Sequence, residues 1–162
     1  MARPGRTGFV SYARNDAALV DRFVEVMRPR CSTQRDVELR LWSDRTIVAG
    51  ERWSQEIAAT LADADFGLLC VSPSLLASSF ITRVELPELL REERLAIPFA
   101  LEPLNDGLDL KGLEALQVFQ LRRHGESRGR SFDECRGVNV KRFCDELVGE
   151  IVQRLRAAGR LA

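Results

Sequence analysis

The best candidate for a catalytic carboxylate is Glu85, which follows the third predicted strand of the chain. Glu85 lies in a stretch of helical composition after Ser72-Pro73-Ser74, and Pro87 either kinks this helix or begins a new one. Glutamates further along the stretch, such as Glu88, are expected to be solvated surface residues. Glu85 is set apart from them by the position that the predicted fold gives it.

Alternating hydrophobic patterns predict the elements that position this carboxylate. Strands are predicted at residues 8–13, 37–42, 66–71, 95–101 and 117–121, the last of them short. Asn15 or Asp16 is expected to cap the first helix, which Pro29 is expected to close. Trp53 is expected to open the second helix, and Asn139 is expected to cap a long amphipathic last helix.

The third and fourth strands carry the most specific signals. Residues 66–71 form an unbroken apolar run, which is typical of a central parallel strand covered on both faces. Pro98 in the fourth strand marks a position where one hydrogen bond of the ladder is absent. Residues 122–137, by contrast, are polar and contain three glycines, so they are expected to form a mobile loop.

Strands that alternate with helices in this way predict an α/β domain with right-handed crossovers and a doubly wound parallel sheet of about five strands. In such sheets ligands bind beyond the carboxyl ends of the strands. Residues 12–16, 42–52 and 72–85 follow the first three strands and are expected to meet at that edge. Glu85 lies in the last of these segments.

Composition narrows the classes of function. The 162 residues fit one domain, with 45% apolar and 30% charged residues. Lys plus Arg and Asp plus Glu both total 24, and this balance argues against a dedicated nucleic-acid-binding protein. No segment reaches the roughly 18 continuous apolar residues of a membrane span, and residues 1–5 lack the apolar stretch of a secretory signal. A cytoplasmic protein without a membrane partner is therefore expected.

The cysteines and the single histidine argue against a metal centre. The four cysteines form no C-x-x-C pair and His124 is the only histidine, so a zinc site is not expected. Cys70 in the third strand and Cys144 on the apolar face of the last helix are expected to be small core residues, which suits a reducing compartment.

Several common catalytic motifs are absent from the sequence. No G-x-G-x-x-G follows the first strand, and no G-x-x-x-x-G-K-[ST] phosphate loop occurs. A Ser-His-Asp hydrolase would have to use His124, which lies in the polar segment far from any strand-end nucleophile. A phospho-receiver domain would need an acceptor aspartate where the third strand ends in Ser72.

The strand ends nevertheless carry an ordered series of motifs. The series begins with Phe9-Val10-Ser11-Tyr12-Ala13 and Asn15-Asp16, and continues with Leu41-Trp42-Ser43-Asp44, Ile47, Ala49-Gly50-Glu51, Trp53 and Ile57. It ends with Ala64-Asp65-Phe66, Val71-Ser72-Pro73-Ser74, Ser78-Ser79-Phe80-Ile81 and Glu85-Leu86. In this order the motifs resemble the Toll/interleukin-1 receptor (TIR) domain family, and above all its bacterial members. The resemblance covers residues 8–158, with an N-terminal extension at 1–7 and a tail at 159–162.

The resemblance implies a flavodoxin-like fold and two classes of function. Some members of the family only assemble, whereas others cleave NAD⁺ at the nicotinamide–ribose bond once they have assembled. The enzymatic members use one glutamate in the helix after the third strand, which matches Glu85. For this chain the resemblance therefore implies an NAD⁺ glycohydrolase or cyclase in bacterial anti-phage signalling, with NAD⁺ as the substrate and with no separate cofactor or metal.

The other expected site residues lie at the same edge of the sheet. The residues expected to bind the substrate are Ser11, Tyr12, Arg14, Asp44, Trp53 and Ile81. Arg14 suits the diphosphate because guanidinium groups bind phosphate in a fork, and Trp53 suits stacking on a base or on nicotinamide. Structural roles are equally open for them: Ser11 as a satisfied strand-end hydroxyl, Arg14 as a surface charge, Trp53 as a core aromatic residue and Asp44 as a support of its loop.

Two alternatives to catalysis remain open. A non-catalytic module that assembles with other TIR domains is favoured by Ile81, because many relatives have an aromatic residue there. A sensor that binds a nucleotide derivative without turnover is the other. In the family the loop that matches residues 43–52 contacts a neighbouring copy, so the expected partners are further TIR domains and a sensor domain or sensor protein.

Overall fold

Four parallel strands form the sheet in the described part of the protein. The computed structural model describes residues 2–43, 63–79, 83, 87, 90, 91 and 94–162. Within these residues the strands are β1 (Gly5–Ser11), β2 (Glu38–Trp42), β3 (Phe66–Val71) and β4 (Ala96–Ala100). Their order is β2-β1-β3-β4, and every neighbouring pair is parallel. The predicted α/β fold with a parallel sheet is confirmed.

Helices flank this sheet. The described α-helices are α1 (Ala17–Ser32), α2 (Pro73–Ala77) and α3 (Val138–Ala157), and short 3₁₀ helices lie at Arg14–Asp16 and Leu113–Leu116. The helices predicted to begin at Trp53 and to carry Glu85 lie outside the described residues. None of the helices in the described part of the chain is long and apolar enough to cross a membrane.

β3 is the central strand, and all six of its residues are buried. Because side chains alternate along a strand, Leu68 and Cys70 enter the main core on the side of α1 and α3. Leu69 and Val71 enter a second, smaller core on the opposite face. Each fully buried side chain of this size contributes about 1.5–3 kcal/mol. The two-sided burial confirms the interpretation of the unbroken apolar run.

Four phenylalanines occupy the centre of the main core. The ring centroids of Phe23 in α1 and Phe99 in β4 lie 4.4 Å apart in a stacked arrangement. Phe143 in α3 contacts both Phe99 and Phe132 edge-on, at 6.0 and 5.7 Å. These contacts join the sheet to the helices on this face, since aromatic pairs contribute beyond the area that they bury.

Phe132 also corrects the prediction of a mobile loop over 122–137. Phe132 and Cys135 are 2% and 1% exposed, so the end of this segment packs into the main core. Backbone hydrogen bonds at 2.9 Å run from Phe132 N–H to the carbonyl of Ala100 and from Asp133 N–H to that of Leu101. The average polarity of the segment conceals two apolar positions that are enough to anchor it.

The predicted fifth strand at 117–121 is reduced to one parallel bridge, between Phe99 and Phe119. Gln117 has a positive φ of 57°, which interrupts an extended conformation directly before the bridge. Leu121 then pairs with Arg130 in an antiparallel bridge, so the chain turns away from β4 after a single contact.

Pro98 explains why the outer edge of β4 needs no longer partner than the single bridge to Phe119. The N–H of Leu101 donates to Val71 in β3, whereas the N–H of Ala100 donates to Phe119, both at 2.9 Å. Because successive N–H groups alternate in direction, the missing N–H of Pro98 lies on the same side as that of Ala100, away from β3. The Pro98 carbonyl still accepts from Phe119 at 2.8 Å. The predicted missing ladder bond is confirmed and falls at the outer edge.

The prediction that Pro29 closes the first helix is wrong. It lies inside α1, which continues to Ser32. The fully buried side chain of Cys31 holds the last turn against the main core, and this burial offsets the one backbone hydrogen bond that proline removes. The Pro29 carbonyl also accepts a hydrogen bond of 2.7 Å from the Thr33 hydroxyl.

Asn139 is not the cap of the last helix. α3 begins at Val138, so Asn139 lies within its first turn, and Gly137 with a φ of 57° occupies the cap position. The Asn139 side chain instead accepts a hydrogen bond of 2.5 Å from the Arg123 guanidinium. Glycine is favoured at residue 137 because few other residues adopt a positive φ without strain.

Close contact between β1 and β3 makes glycine necessary at residue 8. A Cβ at Gly8 would lie 2.2 Å from the Phe66 ring, whereas a Cβ at Gly149, on the exposed side of α3, would meet nothing within 4 Å. We expect Gly8→Ala to destabilise the protein by about 1–3 kcal/mol. Gly149→Ala is expected to stabilise it by about 0.5–1 kcal/mol, because alanine favours a helix. Chemical denaturation of both variants measures this difference, and equal effects would contradict the packing described here.

Candidate functional site

The carboxyl ends of β1, β3 and β4 lie side by side and form the edge at which the site was predicted. β3 pairs with β1 up to Ser11 and with β4 up to Ala100. The chain leaves these three strands through Tyr12, Ser72 and Leu101, in that order. Polar groups just beyond three neighbouring strands are therefore brought together, as expected for a parallel sheet.

Asp16 is the most deeply buried charged residue described at this edge, with 4% of its surface exposed. It occupies the cap position of α1, as predicted, but its side chain forms no capping hydrogen bond. Its N–H donates to the Ala13 carbonyl at 2.9 Å, and its φ and ψ of −93° and 3° differ from the extended backbone of a usual N-cap. The 3₁₀ turn thus directs the carboxylate across the edge, where it accepts a hydrogen bond from the Ser72 hydroxyl.

Ser72 connects this carboxylate to β3 and α2. It is fully buried, and its Oγ accepts a hydrogen bond of 3.0 Å from the Leu75 N–H. Ser72 therefore caps α2, with Pro73 at the first helical position, where a missing N–H costs nothing. The same hydroxyl donates to Asp16, so one side chain joins the end of β3 to the start of α1.

Glu102 adds the end of β4 to this arrangement. Its N–H lies 3.5 Å from the Val71 carbonyl of β3. Burial, and then the hydrogen bond and negative charge of Asp16, raise the pKa of Glu102, and the charge of Asp133 raises it further. We refer to Asp16, Ser72 and Glu102 as the strand-end network.

Sequence reasoning missed most of this network. Asp16 is predicted as a possible helix cap and as part of the first motif but not as a site residue, and no role is predicted for Glu102. The sequence does contain one indication of the network, which is that each of the three is a polar residue shortly after a buried strand.

Three of the predicted substrate-binding residues are described. Ser11 is the last residue of β1 and is fully buried, Tyr12 is half-buried against the main core, and Arg14 is exposed. Arg14 lies in the 3₁₀ helix, two residues before Asp16, and no partner is found for it in the described part of the chain.

The other predicted residues remain predictions. Asp44, Trp53, Ile81 and the proposed catalytic Glu85 lie outside the described residues. The end of β2 indicates where the 43–52 segment begins, because Trp42 stacks on Phe9 of β1 with ring centroids 5.3 Å apart.

Cysteine chemistry does not contribute to the described edge. All four cysteines are present as thiols and are buried, which confirms that Cys70 and Cys144 are core residues. Burial raises the pKa of the Cys31 and Cys144 thiols to about 12, so neither provides a thiolate near neutral pH. Among the residues that the structure describes, no three His, Cys, Asp or Glu side chains are arranged to hold a metal ion.

Comparison with known proteins assigns the family. The sequence matches the TIR domain family over residues 9–135, from β1 to the end of the segment anchored by Phe132. The chain belongs to the TIR domain family. TIR domains generally interact with other TIR domains. No curated protein matches the chain.

Removing the Ser72 hydroxyl tests the strand-end network of this TIR domain. We expect Ser72→Ala to lower the free energy of unfolding by about 1–3 kcal/mol, since it removes the cap of α2 and one hydrogen bond to a buried carboxylate. Ser74→Ala, two residues further along α2, is the matched control, with an expected loss below about 0.5 kcal/mol. Urea denaturation of both variants is the measurement, and a Ser72→Ala loss no larger than that of the control would contradict the assigned role.

Proposed function

We propose that this TIR domain cleaves NAD⁺ at the nicotinamide–ribose bond when copies of it associate, as part of bacterial anti-phage signalling. The supporting observation is the geometry of the strand ends. Ser72, the cap of α2, lies beside the ends of β1 and β4, and Glu85 follows α2 in the sequence of a chain that belongs to a family with NAD⁺-cleaving members.

The reaction needs little from the protein beyond one carboxylate. Glycosidases commonly need two carboxyl groups, because one must protonate a poor leaving group. The nicotinamide of NAD⁺ is already cationic, so the C1′–N bond breaks with its electron pair moving to nitrogen and nicotinamide departs neutral. The remaining ribosyl cation is stabilised by a preorganised negative charge, which is the role proposed for Glu85.

The product depends on the nucleophile that captures this cation. Addition of water at C1′ with release of a proton gives ADP-ribose. Attack by a nitrogen of the adenine ring of the same molecule gives a cyclic isomer and also releases a proton. Both outcomes use the same Glu85 carboxylate, and neither requires a metal ion or a separate cofactor.

The other site residues are proposed to position the substrate. Arg14 is exposed at the described edge and suits the diphosphate, because a guanidinium fork binds phosphate oxygens in pairs. Trp53 is proposed to stack on an aromatic ring of NAD⁺, and Tyr12 and Ile81 to line the ribose. Ser11 and Asp44 are proposed to support the loops around them.

Association is proposed to complete the site. The 43–52 segment follows Trp42, whose stacking on Phe9 fixes the point where the chain leaves β2. We propose that this segment of one copy contacts the site of the next copy, and that a sensor domain or sensor protein brings the copies together. An isolated domain is then well folded but weakly active.

Glu85→Gln tests the catalytic role. We expect the clustered wild-type protein to release nicotinamide from NAD⁺ and the variant to lose about 100-fold or more in rate, because it lacks the stabilising charge. Glu88→Gln, on the same stretch of sequence, is the matched control and should retain the wild-type rate. Nicotinamide is quantified by chromatography and the second product by mass spectrometry. Equal rates for wild type and Glu85→Gln would refute the assignment.

A second candidate function is a non-catalytic assembly module, which is favoured by Ile81 at a position that is aromatic in many relatives. This function requires association without any loss of NAD⁺. Light scattering on the same samples separates the two proposals: association that depends on residues 43–52, with no nicotinamide released by wild type, supports the assembly module.

Arg14→Ala tests the proposed contact with the diphosphate. Losing a charge-assisted hydrogen bond is expected to raise the KM for NAD⁺ about tenfold or more, with a smaller effect on kcat. Arg28→Ala, at an exposed position of α1, is the matched control, with no expected change in KM. A similar effect of both substitutions would indicate a general electrostatic contribution and would contradict a specific role for Arg14.

A further inference from the structure

Positive charge is concentrated around the start of α3. Residues 122–142 contain seven Lys and Arg residues and three Asp and Glu residues, whereas the whole chain has a formal net charge of zero. Arg123 in this segment donates a hydrogen bond to Asn139 in the first turn of α3, so the segment lies against the beginning of that helix. The exposed cations of the segment are Arg122, Arg128, Arg136, Lys141 and Arg142.

An apolar side chain lies among these cations. Val138 is 63% exposed, and in the described part of the chain no other large hydrophobic residue is exposed. Lys141 and Arg142 follow it by three and four residues, so they lie on the same side of α3. An apolar contact with a polar rim is the usual composition of a protein interface. We refer to Arg136, Val138, Lys141 and Arg142 as the basic surface.

The cations of the basic surface do not stabilise α3. The first turn of a helix carries the positive end of the helix dipole, which favours acidic residues there. α3 has no acidic residue in its first turn, and no side chain caps it. Lys141 and Arg142 also form no ion pair within the part of the chain that the structure describes. A partner of opposite charge explains their positions better than the folding of α3 does.

Negative charge is exposed on the opposite face of the sheet. Residues 103–116 contain three acidic residues and one lysine. The leucines of this segment pack into the second core, on the side of the sheet away from α1 and α3, and they are Leu104, Leu108, Leu110, Leu113 and Leu116. This packing leaves Asp106, Asp109 and Glu114 exposed, and Lys111 pairs with Asp109 at 3.1 Å. We refer to these three acidic residues as the acidic surface.

We propose that the basic surface of one copy of this domain binds the acidic surface of the next copy. The two surfaces are opposite in charge and belong to opposite faces of the sheet, so one copy can use both at once. A contact between two different surfaces repeats from copy to copy and gives a linear assembly or a ring. A second copy is the partner that the family favours, because TIR domains generally interact with other TIR domains.

This inference rests on the association of copies in the proposed function and not on the cleavage of NAD⁺. It adds a contact to the one proposed for residues 43–52. Its tests measure association alone, so a wild type that associates through these surfaces without releasing nicotinamide supports the inference and refutes only the cleavage.

Charge reversal on each surface provides the first test. Lys141→Glu with Arg142→Glu, and separately Asp106→Lys with Glu114→Lys, are each expected to weaken self-association about tenfold or more, because attraction between copies becomes repulsion. Wild-type association is also expected to weaken as salt is added, since salt screens exposed charges. Sedimentation velocity on the whole chain measures the association constants. A wild type that does not associate, or that associates as tightly as both variants do, would overturn the proposal.

Arg22→Glu with Arg28→Glu is the matched control. Both residues are exposed on α1, and their reversal changes the net charge by the same amount as reversal of Lys141 and Arg142. This control is expected to retain most of the wild-type association, and a loss equal to that of the α3 variant would overturn the proposal. The α3 variant is expected to fold, because acidic residues are favoured near the start of a helix, and circular dichroism checks this.

A chain that carries both pairs of reversals provides the second test. Its net charge equals that of the wild type, and its two surfaces are again opposite in charge. It is expected to regain self-association to within about threefold of the wild type, yet not to assemble with the wild type, because like charges would then meet in every mixed contact. Failure of this folded chain to regain association, or free mixing with the wild type, would overturn the proposal.

Discussion

Six consecutive apolar residues in β3 leave water only if protein covers both faces of the sheet. Burial of β3 therefore requires helices on both sides, and parallel partners on both edges follow from the crossovers that carry those helices. β1 and β4 occupy these edges, with Ser11 opposite Leu69 and Ala100 opposite Val71. The polar residues of this TIR domain meet at one edge because the strands around β3 all point the same way.

This arrangement forces polar groups to be buried beside the core, and each of them must be satisfied. Ser72 and Asp16 follow strands whose last residues are fully enclosed, so water is replaced there by side-chain hydrogen bonds. The helix cap of α2 and the tie to α1 use the same hydroxyl. Local structure and tertiary structure therefore depend on each other at this point, and a substitution of Ser72 affects both α1 and α2.

Short apolar runs and one alternating pattern are enough to predict β1 to β4, because burial requires apolar residues in these strands. Element ends were harder to predict, since they depend on contacts with distant residues. Pro29 stays within α1 because Cys31 is held by the core, and Asn139 leaves the cap position to Gly137 because its amide bonds Arg123. The 122–137 segment was predicted as a loop because its anchor, Phe132, is a single ring among polar neighbours. In each case a tertiary contact outweighed a local preference.

The edge of the site was predictable from strand polarity, but the strand-end network was not, because Ser72 and Asp16 are 56 residues apart in sequence. Burial, and then the hydrogen bond and negative charge of Asp16, raise the pKa of Glu102, and the sequence does not predict this effect because the two residues lie far apart along the chain. On the proposed function this matters for the ligand, since the diphosphate of NAD⁺ is anionic and must approach Arg14 at the same edge. The raised pKa of Glu102 favours its uncharged form, and this lessens the repulsion between this edge of the sheet and the substrate that it is proposed to bind.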